Sequence, residues 1–442
     1  MRQKGRTTTL EERIEIGERW EAGQTDREIA EAMGLSESTV RKWRRKYQRE
    51  GRAGLASHMG RPATGALGSF PEPVRKAIRD MREENPGWGP DTIRAEWGKD
   101  PTRKDLPRPS RSRIAAFLKE EGYTRPYERH TELPQPEKED VEEVHEEWEV
   151  DAQGVINVSA LGQVSIINAV DVRSRLKVES FPCLDTSHPN TKDYQLVLRR
   201  AFLQYGLPER ISLDHDSVFY DNASPSPFPT TLHLWLISLG VDVRFIEDPP
   251  PTEHNIIERT HQTMYRQAVA DRTFTDGDAL DVRLTERRHF LNYDLPTEAL
   301  DDRAPLEAYP EAAHSGKPYR PEWEEAMLDL ERIYEYLAQG RWFRRTSKQG
   351  QFSIGAQRYN AGKDFAEQQL EITFDSQTRE LVCRSEDGES EFRFPIQGLT
   401  KSNLMGELSP MVTLPVYQLA LPFTPKAWRE MTLCDNLTGT TL

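Results

Sequence analysis

Cysteine is almost missing from this 442-residue chain, which has only Cys183, Cys383 and Cys434. Their odd number and wide spacing exclude a disulfide framework and a zinc-ligand pattern, and a reducing, cytoplasmic compartment is the expectation. Long apolar runs are missing too. None approaches the roughly 20 residues that a membrane span needs, and the polar N-terminus lacks the apolar stretch of a secretory leader. No membrane is expected among the partners. No glycine-rich phosphate loop occurs, so any ATP hydrolysis would belong to a separate helper protein. Hydrophobic residues make up 36%. That suits globular domains with large charged surfaces, and the length suits roughly three of them.

An excess of positive charge is lacking overall, with a formal net charge of −14. The average hides an asymmetry. Residues 1–130 hold 28 Lys and Arg against 21 Asp and Glu, which leaves 31 basic against 52 acidic residues for the remainder. A basic N-terminal third is an electrostatic footprint for phosphate. The acidic remainder reads mainly as solvated surface.

The N-terminal pattern is helical. Leu10, Ile14 and Trp20 share one face. Thr25-Asp-Arg-Glu28 is a capping box opening a second helix, which carries Ile29, Ala30 and Met33 and stops at Gly34. Ser36 caps a third, with Val40, Trp43 and Tyr47 inward and Ser38, Thr39, Arg41, Lys42, Arg44 and Arg45 outward. The helix–glycine–helix spacing resembles a helix-turn-helix, whose second helix enters the major groove. The alternative is a helical hairpin with a solvated basic face. The pattern assigns 1–52 to this DNA-binding domain and 53–70 to a linker. There, Gly60-Arg61-Pro62 resembles a minor-groove hook, with an ordinary linker as its rival. Residues 71–130 read as a second helix-turn-helix or winged unit. It has Val74, Ala77, Ile78 and Met81 on one face, a turn at Trp88-Gly89-Pro90, and a helix after Ser110 that exposes Arg111, Arg113 and Lys119.

Residues 131–140, rich in Pro and Glu, read as a second linker. Beyond it, Val141, Val144 and Trp148 step at helical intervals into the segment ending at Asp151. Val164–Val172, Lys177–Leu184, Ile211–Asp214 and Val241–Ile246 read as strands, with helices over Asp193–Tyr205 and from about His254 to Ala270. Strands followed by strand–helix alternation imply a mixed sheet covered by helices over 141–310. Residues 311–345 read as a helical connector, 346–400 as short alternating strands of a small β-barrel, and 401–442 as a C-terminal tail.

Three carboxylates stand out. Asp151 and Asp214 end runs that read as strands, and Glu258 lies in a run that reads as a helix, 44 residues after Asp214. Carboxylates at strand ends suit a hard divalent cation, and a pair of such ions suits in-line displacement at a phosphodiester. Asp216, two residues from Asp214, is a rival for the second position.

In these features the chain resembles the DDE transposases and retroviral integrases, over roughly residues 7–400. Trp148-Glu-Val-Asp151 matches the first strand end of that family. Asp214-His-Asp-Ser-Val-Phe219 matches the spacing around its second Asp, with His215 and Asp216 replacing Asn and Gly. Pro249-Pro-Pro-Thr-Glu-His-Asn-Ile-Ile-Glu258-Arg matches the spacing before its Glu, with His254 and Asn255 replacing Asn and Gly. The resemblance implies a ribonuclease-H-like core between N-terminal helix-turn-helix units and a C-terminal barrel. It implies Asp151, Asp214 and Glu258 as catalytic ligands of Mg²⁺ or Mn²⁺, two ions in all. It also implies cleavage at element ends followed by strand transfer, with double-stranded terminal-repeat and target DNA as partners and a homo-oligomer assembled on that DNA. Arg344, Arg345 and Lys348 would bridge DNA or subunits, and the protein would sit on a bacterial-type nucleoid when bound. Two other functions stay open: a DNA-binding regulator with an inactive core, and a nuclease that cuts without joining.

Overall fold

A computed structural model describes residues 8–55, 65–124, 141–184, 186, 188–221, 224–246 and 255–408. The chain divides into two compact units. One holds the described residues up to Arg79 and those between Asp100 and Pro126. The other holds Asp80–Lys99 and everything from Tyr127 onward.

The first unit begins with α1 (Leu10–Glu21), α2 (Asp26–Ala32) and α3 (Glu37–Glu50). Thr9 with Glu12 and Thr25 with Glu28 form capping boxes, and Ser36 accepts from the Thr39 amide, so each helix start satisfies its own orphan donors. The turn between α2 and α3 needs Gly34, whose φ is +64°. Ile16, Ile29, Val40, Trp43 and Tyr47 form the core. Gly17 lets α1 approach α3 closely, since a Cβ there would stand 2.7 Å from the Tyr47 ring. Further along are α4 (Glu72–Glu84), α5 (Pro90–Lys99) and α6 (Arg111–Glu120). Of these, α5 belongs to the second unit. There the Thr92 hydroxyl accepts from Gln267 at 2.8 Å, and Glu96 pairs with Arg287 at 2.6 Å.

The second unit is built on β1 (Glu147–Val158), β2 (Gly162–Asp171), β3 (Lys177–Leu184), β4 (Arg210–Leu213) and β5 (Asp242–Phe245). Their order is β3-β2-β1-β4-β5. The pairings of β1 with β2 and of β2 with β3 are antiparallel, whereas β4 runs parallel to both β1 and β5. One face packs on α7 (Thr191–Tyr205) and α8 (Thr231–Ser238), through Trp148, Val150, Ile167, Phe202 and Trp235. The other face carries α9 (Asn255–Met264), a π-helical turn (Tyr265–Val269) and α10 (Gly277–Tyr293), through Val164, Ile166, Met264, Leu284 and Phe290. This is the helix-covered mixed sheet that was expected. One local reading is corrected. The helical spacing of Val141, Val144 and Trp148 does not make a helix, because the chain turns and then enters β1, which carries Trp148 into the core between flanking strands.

The expected connector is broken. After α11 (Pro305–Ala308), α12 (Glu324–Met327) ends at Leu328, and α13 (Leu330–Ala338) starts afresh with Asp329 as its cap. The C-terminal part is all-β. A four-stranded antiparallel sheet comprises β6 (Arg341–Arg345), β9 (Gln369–Asp375), β10 (Glu380–Ser385) and β11 (Glu391–Pro395), and β7 (Gln351–Ile354) pairs with β8 (Gln357–Asn360). Residues 401–405, read as tail, form α14 (Lys401–Met405), and the carbonyl of Leu404 accepts from Gln195 at 2.7 Å.

Buried charge locks the second unit. Arg199 reaches Glu324 at 2.7 and 2.6 Å, and Glu324 also accepts from Trp235 at 2.8 Å and from Tyr319. Arg200 bridges Asp281 and Glu179. Among the described residues, no helix is long and apolar enough to cross a membrane.

Candidate active site and nucleic-acid interface

On β1, Glu147, Glu149 and Asp151 alternate with Trp148 and Val150, so the three acids share one face of the sheet. Two of them have structural partners. Glu147 accepts from Ser212 and Arg210, both at 2.6 Å; burial pushes its pKa up, but these bonds outweigh that and leave it below the usual range. Glu149 is fully buried and accepts the Ile257 amide at 2.9 Å, in the first turn of α9. Asp151 is different. Its side chain is 28% exposed, one oxygen takes the Ala152 amide at 2.8 Å, and the other takes His261 Nε2 at 3.0 Å.

The parallel pairing of β1 with β4 sets Trp148 beside Ile211 and Glu149 beside Ser212. The pairing ends there; Asp151 lies two residues further along β1, and Asp214 directly follows β4. Asp214 is half-buried, and one of its oxygens accepts the Asp216 amide at 3.0 Å. Asp216 folds back on its own turn, accepting from Ser217 and from the Val218 amide, both at 3.1 Å. Both carboxylates thus bond to the turn that follows β4. Burial, followed by the carboxylates of Asp151, Asp214 and Asp216, holds the Tyr194 phenol far above its usual range. The Tyr194 ring meets Phe219 edge-on at 4.6 Å.

Glu258 lies on α9 and is exposed, three residues before His261 and thus on a neighbouring part of the helix surface. Exposed Arg259 follows it. Burial, then the charges of Arg175 and Arg259, lowers Lys177 to about 8. The run Pro249–Pro251 and His254 lie outside the described residues. Among the described residues, no three His, Cys, Asp or Glu side chains converge at metal-ligating distance. In kind, the donors of Asp151 and Asp214 suit a hard divalent cation, being carboxylate oxygens that are only partly buried. Glu258 stands outside that pair.

Sequence reading missed His261 and Tyr194. His261 had a usable signal in its spacing from Glu258. Tyr194 had none, because its place depends on how α7 crosses the sheet.

The basic residues expected on DNA divide by their partners. On α3, Ser38, Arg41, Lys42 and Arg45 are exposed. Arg41 pairs with Glu37 at 2.6 Å, and Lys42 lies over the Trp43 ring at 5.4 Å. Thr39 is half-buried against the Ser36 hydroxyl at 2.7 Å. Arg44 is not outward as expected. It grips Asp26 of α2 at 2.6 and 3.2 Å, tying the two helices together. Arg111 and Arg113 are exposed, with Arg113 donating to Ser69 at 2.9 Å. Arg344 is likewise turned inward, donating to the carbonyls of Ser226 at 2.6 Å and Ser353 at 3.0 Å, whereas Arg345 and Lys348 are exposed. Arg61 lies outside the described residues.

Two solved structures are similar to parts of this chain. The catalytic core domain of BIV integrase is 15% identical, covering 38% of this chain and 95% of its own, with a TM-score of 0.28. The simian T-cell lymphotropic virus intasome is 12% identical, covering 70% of this chain and 97% of its own, with a TM-score of 0.32. Residues 7–56 match the Homeodomain-like domain family. With α1, α2 and α3 falling inside that span, the chain carries a homeodomain-like helix-turn-helix DNA-binding domain at its N-terminal end.

Proposed function

We propose that this protein is a DNA transposase of the DDE type, using Asp151, Asp214 and Glu258 to cleave element ends and join them to target DNA. The observation that carries the reading is the strand register. Continued two residues past Glu149 and Ser212, the parallel β1–β4 pairing would bring Asp151 and Asp214 to one face, and α9 bears Glu258 and bonds to Asp151 through His261.

When bound, two Mg²⁺ or Mn²⁺ ions would activate the attacking hydroxyl and stabilise the leaving oxygen. The residues of the chain supply the rest. Asp151 and Asp214 offer oxygens whose orientation is set by backbone amides and by His261. Glu258 enters from α9 as the third ligand. In the first step water attacks a phosphodiester and frees a 3′-OH, and in the second that 3′-OH attacks target DNA. No covalent protein–DNA bond is needed. The exposed face of α3 reads the element end, and the exposed Arg345 and Lys348 contact DNA or a second subunit of an oligomer assembled on it.

Strand transfer with pre-cleaved ends tests the reading against its two rivals. Joined products that depend on Mg²⁺ or Mn²⁺ support it. Cutting without joining makes the protein a nuclease, and end binding with neither reaction makes it a regulator.

A further inference from the structure

Asp151, Asn168 and Ser180 lie in one row across three strands, because β1 pairs Asp151 with Asn168 and β3 pairs Ser180 with Asn168. His261 descends on this row from α9. Ser180 Oγ donates to Asn168 Oδ1 at 2.5 Å, Asn168 Nδ2 meets His261 Nδ1 at 2.7 Å, and His261 Nε2 meets Asp151 Oδ2 at 3.0 Å. The donor inventory orders the chain. With Asn168 Oδ1 taken by a hydroxyl, its amide faces the ring, so His261 Nδ1 accepts and the ring proton sits on Nε2, aimed at Asp151. The second amide hydrogen of Asn168 goes to the Ile166 carbonyl at 3.5 Å. Asn168 and Ser180 are fully buried and His261 nearly so, whereas Asp151 alone opens to solvent.

We infer that His261 is a positioning residue for Asp151, and that the Ser180–Asn168–His261 relay fixes the Asp151 carboxylate for a divalent cation. Polar groups in a sheet interior are costly unless fully paired. Next to Val164, Ile166 and Met264, apolar side chains would fill the same space more cheaply. The relay ends on Asp151, the acid of β1 that is open to solvent where Glu147 and Glu149 are buried. Each carboxylate oxygen accepts more than one bond, so the His261 contact leaves lone pairs of Asp151 free on the solvent side. Hydrogen bonds behind a ligating carboxylate typically hold 10- to 100-fold in metal affinity.

The inference rests on the catalytic reading of Asp151, and Mn²⁺ binding to the full chain, read from the paramagnetic signal of free Mn²⁺, tests it without DNA. His261→Leu removes the donor, and His261→Asn keeps an amide that stops short of Asp151. Both are expected to raise the Mn²⁺ midpoint by about 10- to 100-fold. His261→Gln restores an N–H at similar reach and is expected to stay near the parent. Parental midpoints in the Leu and Asn variants, or a Gln variant shifted as far as Leu, would overturn the relay. Asp151→Asn is the control. If it too binds Mn²⁺ like the parent, the catalytic reading falls, not the relay alone.

Discussion

The helix-turn-helix domain and the sheet-based unit use charge in opposite ways. On α3 most charged side chains lie on the surface, in pairs such as Arg41–Glu37, with both partners about half exposed. In the second unit the pairs that lock the fold are buried: Arg199 with Glu324, and Arg200 with Asp281 and Glu179. Exposed pairs contribute about 0–1 kcal/mol and are screened by salt. Breaking a buried pair by removing one partner costs about 3–5 kcal/mol. The first unit therefore keeps its cations available to a polyanion, whereas the second uses charge to fix the elements that carry its carboxylates.

The comparison can be broken at several levels. The largest effect expected is from metal removal. Joining should fall by about 10³-fold or more in excess chelator, since losing metal assistance forfeits several kcal/mol of transition-state stabilisation, while end binding by the first unit should persist. Undiminished joining in chelator would refute the metal-dependent chemistry.

Next come the buried charges. Glu324→Gln should destabilise the protein by about 3–5 kcal/mol in chemical denaturation, because Arg199 loses its paired carboxylate. Glu37→Ala, which strips an exposed partner from Arg41, should change stability by less than about 1 kcal/mol. Equal effects would erase the contrast.

A buried histidine gives a pH test. His233 is buried between Phe245 and Tyr336, and burial lowers its pKa from 6.5 to about 4. Its folded pKa lies below the unfolded one, so its contribution is fully present above about pH 6.5 and is lost as pH falls towards 4. That loss is of order 3 kcal/mol. His233→Phe should flatten this part of the pH–stability curve, and an unchanged slope would assign it to other groups.

The smallest effects concern DNA reading. Arg41→Ala should relax discrimination between element-end and random DNA by about 1–3 kcal/mol if Arg41 contacts guanine. Arg45→Ala should weaken both alike and lower the salt slope by about one unit. Arg44→Ala should act instead through lost stability, because Arg44 is engaged with Asp26.

What the sequence disclosed follows from locality. Capping boxes, the Gly34 turn and the period of α3 are decided within a few residues, so the helices of the helix-turn-helix were readable, whereas the inward turn of Arg44 to Asp26, 18 residues away, was not. Strand β3 was readable to its ends. Helix α8 was not, since Leu232 to Ser238 are all buried and show no polar face to mark a period. Helix α10 hid for the opposite reason: Asp281, Arg287 and Arg288 are buried where a core-facing helix usually shows apolar residues. The carboxylates could be named one by one, but bringing Asp151 and Asp214 to one face depends on continuing a parallel pairing about 60 residues apart in sequence, and no local pattern encodes that.

The most direct test of the central claim is a paired assay on the full chain, scoring joined product and end binding for Asp151→Asn, Asp214→Asn, Glu258→Gln and Asp216→Asn. The account predicts that the first three abolish joining and leave binding near the parent's, while Asp216→Asn still joins. Joining that survives Asp151→Asn, or survives Asp214→Asn while failing in Asp216→Asn, would contradict it.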